Sequence, residues 1–290
     1  MNYRHAFHAG NFADVLKHVA LTRVLEHMKV KPAPFRVVDT HAGTGLYDLS
    51  GDAAQRTGEW HGGIGRLLAA PLTDTAAALL SPYLAAVRGL QPEGSAELQR
   101  YPGSPELVRR LLRADDVLVA NELHPQDVEQ LKSVVARDRR IKVMSLDGFT
   151  VLKAALPPKE RRGIVLIDPP FEVPGEFQRL LVALEEAKAR FATGTIIVWY
   201  PVKDRAAVAV FLAGVKEIGL SKVLLAELGV RASDAVRPGL SETGILVVNP
   251  PYTLESELRI LLPVLRDAMA DGPGARFRLE WLVAEAVRSR

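Results

Sequence analysis

Gly163-Ile164-Val165-Leu166-Ile167-Asp168-Pro169-Pro170-Phe171 is the stretch on which the reading of this chain turns. An uninterrupted apolar run has no polar face, so it suits a parallel strand covered on both sides. The run stops at a carboxylate, two prolines and an aromatic ring. Each proline fixes its φ and lacks an N–H, so the turn is stiff and offers carbonyls without competing donors. A carboxylate and a nearby carbonyl can accept both N–H groups of a planar amine, while the ring stacks on the heterocycle that carries it. Such acceptors localise the lone pair of an aromatic amine, which is otherwise a poor nucleophile. Taken alone, these four residues also describe an ordinary turn after a strand.

Outward from that stretch, similar runs occur at 35–39, 117–122, 141–146, 195–200, 223–228 and 244–249. Helical patterns lie between them at 13–30, 105–114, 125–136, 176–189 and 204–218. The alternation predicts an α/β fold with a doubly wound, mostly parallel sheet. Seven strands closing on a hairpin match the Rossmann-like sheet of class I S-adenosylmethionine-dependent methyltransferases. Residues 46–100 break the rhythm: they are rich in Ala, Leu and Gly, show no clear strand and carry a helical segment at 75–87. They are expected to form a small helical insertion beside the ligand crevice, with 1–45 and 101–290 as the Rossmann-like methyltransferase domain.

A chain of 290 residues can bury a large core. The net charge is +3 and the isoelectric point about 9.1, a balance compatible with a nucleic-acid partner. The absence of cysteine excludes disulfides, cysteine nucleophiles and thiolate metal sites, and fits a reducing cytoplasm. Residues 1–18 are polar and histidine-rich, unlike a signal peptide, and no apolar run is long enough to span a bilayer.

The first strand runs through Asp39 into the loop Thr40-His41-Ala42-Gly43-Thr44-Gly45. Glycines there allow a tight turn and close approach to a ligand, although a lone Gly-x-Gly is weak evidence. The third glycine of the dinucleotide fingerprint is missing. Asp39 would repel a pyrophosphate but could orient the amino group of a methionine moiety. Glu122 ends the second strand, where a carboxylate can accept both ribose hydroxyls. Asp147-Gly148-Phe149 follows the third, placing an acceptor for an adenine amine beside a ring. Four acids in strand order point to S-adenosylmethionine with an amine acceptor.

A second tetrapeptide, Asn249-Pro250-Pro251-Tyr252, follows the last strand. The amine-binding turn belongs after the fourth strand, next to the cofactor, and Asp168 fills that slot. Asn249 lies two or more strands later and reads as a strand-ending turn.

With these motifs on view, the chain resembles the RlmJ-type adenine-N6 methyltransferases of large-subunit ribosomal RNA. The likeness rests on Tyr3-Arg4-His5-Ala6-Phe7-His8-Ala9-Gly10-Asn11, Ala13-Asp14-Val15-Leu16-Lys17-His18 and Asp39-Thr40-His41-Ala42-Gly43. It continues through Arg56-Thr57-Gly58-Glu59, Tyr101-Pro102-Gly103-Ser104-Pro105, Glu122-Leu123-His124-Pro125, Asp147-Gly148-Phe149 and Leu166-Ile167-Asp168-Pro169-Pro170. Arg190-Phe191-Ala192-Thr193-Gly194, Trp199-Tyr200-Pro201-Val202 and Asn249-Pro250-Pro251 complete it. The resemblance implies that His18, His41, Ser104, Glu122, Asp147, Gly148 and Asp168 contact or border S-adenosylmethionine, with Asp168 catalytic. It implies that Tyr3, His5 and Lys17 shape the entrance and hold the target adenosine. The family's tetrapeptide usually ends in Tyr; Phe171 keeps the stacking face and lacks the hydroxyl.

On residues alone, the seven histidines read as surface or satisfied core groups, and none has zincin-like spacing, so no metal is expected. Basic clusters at Arg109-Arg110 with Arg113, Arg137 with Arg139-Arg140, and Lys159 with Arg161-Arg162 read first as solvated faces and second as phosphate contacts. The expected activity is N6-methylation of one adenosine in 23S ribosomal RNA, deproteinised or early in assembly, by a cytoplasmic monomer. Asp168 and the Pro169 carbonyl would hold the amine and Phe171 would stack on the base. The alternatives are a DNA adenine-N6 methyltransferase and a protein glutamine-N5 methyltransferase centred on Asn249.

Overall fold

The computed structural model describes residues 4–95, 97–232 and 239–284. In chain order the helices are α1 (Phe12–Val30), α2 (Asp52–Thr57), α3 (Arg66–Ala69), α4 (Asp74–Arg88), α5 (Ser104–Leu111), α6 (Pro125–Val134), α7 (Thr150–Ala155), α8 (Glu176–Arg190), α9 (Arg205–Glu217) and α10 (Leu254–Met269). The strands are β1 (Arg36–Asp39), β2 (Leu46–Asp48), β3 (Arg100–Pro102), β4 (Val117–Asn121), β5 (Ile141–Met144), β6 (Gly163–Ile167), β7 (Thr195–Pro201), β8 (Val223–Gly229), β9 (Glu242–Val248) and β10 (Arg276–Val283).

The central sheet has the order β10-β8-β9-β7-β6-β1-β4-β5. Strands β5, β4, β1, β6 and β7 are parallel, and β9 runs antiparallel between β7 and β8. The sheet therefore has eight strands where seven were expected. The eighth, β10, pairs antiparallel with β8 as an edge strand. Its charged and apolar residues alternate from Arg276 to Trp281, and Phe277 and Trp281 remain exposed on this edge. Two further strands were not expected at the ends of the 46–100 stretch. Three-residue β2 and β3 pair antiparallel, Leu46 with Pro102 and Asp48 with Arg100, so this stretch leaves and rejoins the fold at one place.

Strand β6 is buried at every residue, as its unbroken apolar run demands. Helix α1 is buried almost all round, so its sequence lacks a polar stripe. The Asn11 side chain caps it, accepting from the N–H groups of Ala13 and Asp14 at 3.0 Å each. Side chains from α2, α3 and α4 join those of α1, α5 and α10 in one apolar core on one face of the sheet. A second core, on the other face, gathers residues of α7, α8 and α9. Against this packing, Asp14, Lys17 and His18 stand out as buried polar groups on α1.

Candidate active site

Strand β1 lies between β4 and β6, and the chain moves outward to one side before returning to the other. The crevice at this reversal opens at the carboxyl ends of β1 and β6, where loops diverge and ligands bind in open α/β sheets. A cavity of about 570 Å³ fills it. Its lining brings together His5, Lys17, His18, His41, Ser104, Glu122, Asp168, Pro169 and Phe171 from widely separated sequence positions. Tyr47 and Glu59 reach it from the 46–100 stretch. Of the other expected residues, Tyr3 falls outside the described residues. Asp147 and Gly148 are not among the lining residues.

At one end, Lys17 Nζ donates to Asp168 Oδ2 at 2.5 Å and to Asp14 Oδ1 at 2.8 Å. Asp14 Oδ2 is 2.9 Å from His5 Nε2 and accepts the Gly10 N–H at 2.9 Å. Burial would raise the Asp14 carboxyl, but His5 and Lys17 together hold it well below the usual range. Burial would likewise lower the Lys17 ammonium, and the two carboxylates reverse that and push it up. The chain His5–Asp14–Lys17–Asp168 thus keeps one oxygen of Asp168 occupied. Among the described residues nothing donates to Oδ1.

Phe171 has φ +52°, a left-handed backbone conformation rarely seen for an aromatic residue. Its ring packs against Phe177 at 5.0 Å and Trp199 at 5.8 Å. Sterically costly geometry of this kind persists where the surroundings dictate it, and it recurs at functional sites.

At the other end, Glu122 accepts the Gly43 N–H and the His124 N–H, both at 2.8 Å, and burial raises its pKa. Gly43 has φ +60°, and a Cβ there would lie 2.3 Å from the Tyr47 hydroxyl oxygen. Asp39 is fully buried and accepts the Ser104 hydroxyl at 2.6 Å. Burial pushes its carboxyl up to about 7. Asp39 thereby holds the start of α5 and does not itself line the cavity. Burial lowers His18 to about 3 and His41 to about 4, so both rings are neutral near pH 7. His18 Nδ1 lies 2.8 Å from the Tyr101 hydroxyl, while His18 Nε2 is buried with no partner among the described residues. Asp147 is half-exposed and bonds Arg179 at 2.7 Å, with Arg179 seated 4.1 Å over the Phe149 ring. A Cβ on Gly148 would lie 2.3 Å from His41 Nε2, so Gly148 lets the Asp147 loop and the β1 loop meet.

Asn249 lies elsewhere. The end of β9 pairs with the start of β7, Val248 with Ile196, so the second tetrapeptide sits at the amino ends of the parallel strands. Its amide donates to the carbonyls of Ala192 at 2.8 Å and Gly194 at 2.9 Å, tying down a turn. The basic clusters are largely engaged within the fold. Arg109 and Arg110 pair with Glu106, Arg113 with Asp116 and Arg140 with Asp138. Arg162 donates to the carbonyls of Ala33 and Met28.

Asp14, Tyr83 and Tyr101 belong to the site's supporting structure and were given no role from sequence. The one available signal was a charged pair, Asp14 and Lys17, three residues apart in the mostly apolar first half of α1.

Six strands running one way (β5, β4, β1, β6, β7 and β8), the antiparallel β9 slotted between β7 and β8, and acidic loops meeting at the switch point define a class I methyltransferase fold. The family described as "Ribosomal RNA large subunit methyltransferase D, RlmJ" matches residues 32–283. The chain belongs to this family. Two curated proteins named "Ribosomal RNA large subunit methyltransferase J", from Haemophilus influenzae and Escherichia coli, are each 40% identical to it over 285 residues. Each alignment covers 98% of this chain and 100% of the relative. The crystal structure of a Legionella pneumophila protein superposes with a TM-score of 0.84 at 33% identity, covering 94% of this chain and 98% of that one.

Proposed function

We propose that this chain transfers a methyl group from S-adenosylmethionine to N6 of an adenosine in large-subunit (23S) ribosomal RNA. The observation that carries the reading is Asp168 at the switch point, lining the cavity with one of its oxygens held by Lys17. The cleft residues fit the donor. His18 presents an unpaired buried polar atom, and Glu122 and the Gly43 loop form an acidic, closely approachable end. When bound, S-adenosylmethionine supplies an electrophilic methyl group.

His18, His41, Ser104 and Glu122 would hold that donor, with Asp147 and Gly148 supporting the loop behind it. Asp168 Oδ1 and the Pro169 carbonyl accept the two N–H groups of the target amine. Phe171 offers the face on which the extruded base stacks, because an adenine within a helix cannot present N6 to the cleft. His5, Lys17 and Tyr3 shape the entrance. Positioning and exclusion of water supply most of the rate, and Asp168 takes the proton released as the new N–C bond forms. Lys17 donates to Asp168 Oδ2 and so fixes the orientation of the carboxylate for both tasks. A monomer acting in the cytoplasm on deproteinised or early-assembly RNA completes the proposal, with the 46–100 segment as a cover over the crevice.

Among the described residues no helix is long and apolar enough to cross a membrane. Neither alternative has comparable support. A glutamine-directed site would need Asn249, whose amide hydrogens are spent on a turn at the amino ends of the parallel strands, opposite the cavity. Tritiated S-adenosylmethionine offered with deproteinised ribosomal RNA, intact large subunits, duplex DNA and protein tests the reading. Label in ribosomal RNA is expected; label confined to DNA or protein would overturn the substrate.

A further inference from the structure

Tyr83, Tyr101 and His18 run in a line from the core to the cleft. Both tyrosines are fully enclosed. Their hydroxyl oxygens lie 2.9 Å apart, and that of Tyr101 lies 2.8 Å from His18 Nδ1. The Tyr101 ring stacks on the imidazole with centroids 5.5 Å apart. At the cleft end, His18 Nε2 is the buried atom without a partner among the described residues, and His18 lines the cavity.

The hydrogens in this line can be placed by elimination. Two hydroxyl hydrogens and one ring hydrogen serve two hydrogen bonds. If Tyr83 donates to Tyr101 and Tyr101 to Nδ1, the ring hydrogen sits on Nε2 and faces the cavity. If the direction reverses, Nδ1–H donates to Tyr101, Tyr101 donates to Tyr83, and the Tyr83 hydrogen is left in the core without an acceptor. If Tyr101 accepts from both sides, its own hydrogen is stranded instead. A donor left unpaired in the core is costly, and only the first order strands none there: its one open hydrogen, on Nε2, lies at the ligand cavity.

We infer that the Tyr83–Tyr101 pair fixes His18 as its Nε2–H tautomer, so that it meets the ligand as a hydrogen-bond donor, with both tyrosines acting as positioning residues. The acceptor that suits such a donor is the carboxylate on the amino-acid end of the methyl donor, because charge-assisted hydrogen bonds are the stronger kind. That choice of acceptor rests on the function proposed above. The tautomer itself does not.

The test begins with long-range nitrogen–proton NMR of the histidine-labelled free protein at neutral pH. His18 is expected with its hydrogen on Nε2. A hydrogen on Nδ1, or on both nitrogens, overturns the inference. Tyr101→Phe is then expected to lose the tautomer preference and to bind S-adenosylhomocysteine roughly tenfold more weakly by calorimetry. 5′-Methylthioadenosine, which lacks the carboxylate, should bind the variant and the wild type alike. Equal weakening for both ligands, or for neither, also overturns it. Should Tyr101→Phe fail to fold, Tyr83→Phe takes its place, with a mixture of tautomers expected and an unchanged Nε2–H spectrum refuting. A wild type that binds neither ligand would count against the methyl-donor reading and leave the tautomer result standing.

Discussion

Asp14→Asn removes one negative charge from the centre of the His5–Asp14–Lys17–Asp168 chain while keeping the side chain's shape. Asp14 is 2% exposed and accepts from Lys17, His5 and the Gly10 N–H. The substitution leaves the Lys17 ammonium, 4% exposed, with Asp168 as its one remaining carboxylate. Breaking a buried pair by neutralising one partner typically costs about 3–5 kcal/mol, because the other charge stays desolvated. The isosteric amide keeps one acceptor, so the lower end, about 3 kcal/mol, is expected. For a chain of this size each kcal/mol is worth roughly 2 °C, so Tm should fall by about 6 °C at neutral pH. Scanning calorimetry of the wild type, Asp14→Asn, Lys17→Met and the double variant measures it. Since Lys17→Met removes the stranded cation, Asn at position 14 should cost less in that background, with a coupling of about 1–3 kcal/mol. A drop of under about 1 °C, or strictly additive losses, would refute the view of these residues as one electrostatic unit.

Other consequences can be tested alongside. Asn249→Ala should keep methyl transfer per folded molecule and lower stability by about 1 kcal/mol in urea melts, since the exposed bond to the Ala192 carbonyl and the partly buried bond to the Gly194 carbonyl are lost; loss of transfer with stability intact would contradict the placement of the second tetrapeptide. Gly148→Ala puts a Cβ 2.3 Å from His41 Nε2 and 2.8 Å from the Thr40 carbonyl oxygen, so calorimetry should find weaker S-adenosylhomocysteine binding; unchanged affinity would argue that the His41 loop does not border the donor. The pH dependence of stability follows chiefly from three buried groups. His18 and His41 titrate at about 3 and 4 in the folded chain, so the stability they confer is full above about pH 6.5 and is lost as pH falls. Asp39, raised to about 7, works oppositely, its penalty growing as pH rises from about 4. Two histidine protons outweigh the Asp39 carboxyl proton, and the raised Glu122 carboxyl trims the difference, so unfolding free energy should climb by at most about 1.4 kcal/mol per pH unit between about pH 4.5 and 6. Urea midpoints that fall across that window would contradict these burial effects.

Much of this architecture was legible because burial on both sides of a parallel sheet writes itself as unbroken apolar runs. Strand β6, with its carboxylate and prolines, is the clearest case. What sequence reading lost were elements whose stability is not local. Three residues of β2 and three of β3 carry no periodicity, and only their pairing makes them strands. Strand β10 does alternate from Arg276 to Trp281, yet it follows an unassigned helix, α10, whose apolar stripe is interrupted by Pro263. The site divides in the same way. Glu122 and the Asp168 turn, which line the cavity, were readable from their order along the chain, whereas Asp39 and Asp147, read together with them, do not line it. Partnerships were not. Asp14 acquires its role because α1 delivers Lys17 to a residue 151 positions away, and Asp39 turns inward because Ser104 arrives to bond it. The resemblance to the family named the opening segment as functional, and the fold brings His5, Lys17 and His18 from it into the cavity lining.

The decisive measurement is nucleoside mass spectrometry of deproteinised large-subunit ribosomal RNA incubated with S-adenosylmethionine and either wild type or Asp168→Asn. The substitution keeps the size of the side chain and gives up the charge that Lys17 holds and the second acceptor lone pairs that the amine needs. N6-methyladenosine should accumulate with the wild type and be absent with Asp168→Asn, although the variant still folds and binds S-adenosylhomocysteine. Wild-type levels of N6-methyladenosine from Asp168→Asn would contradict the assignment of this carboxylate as the group that receives the amine.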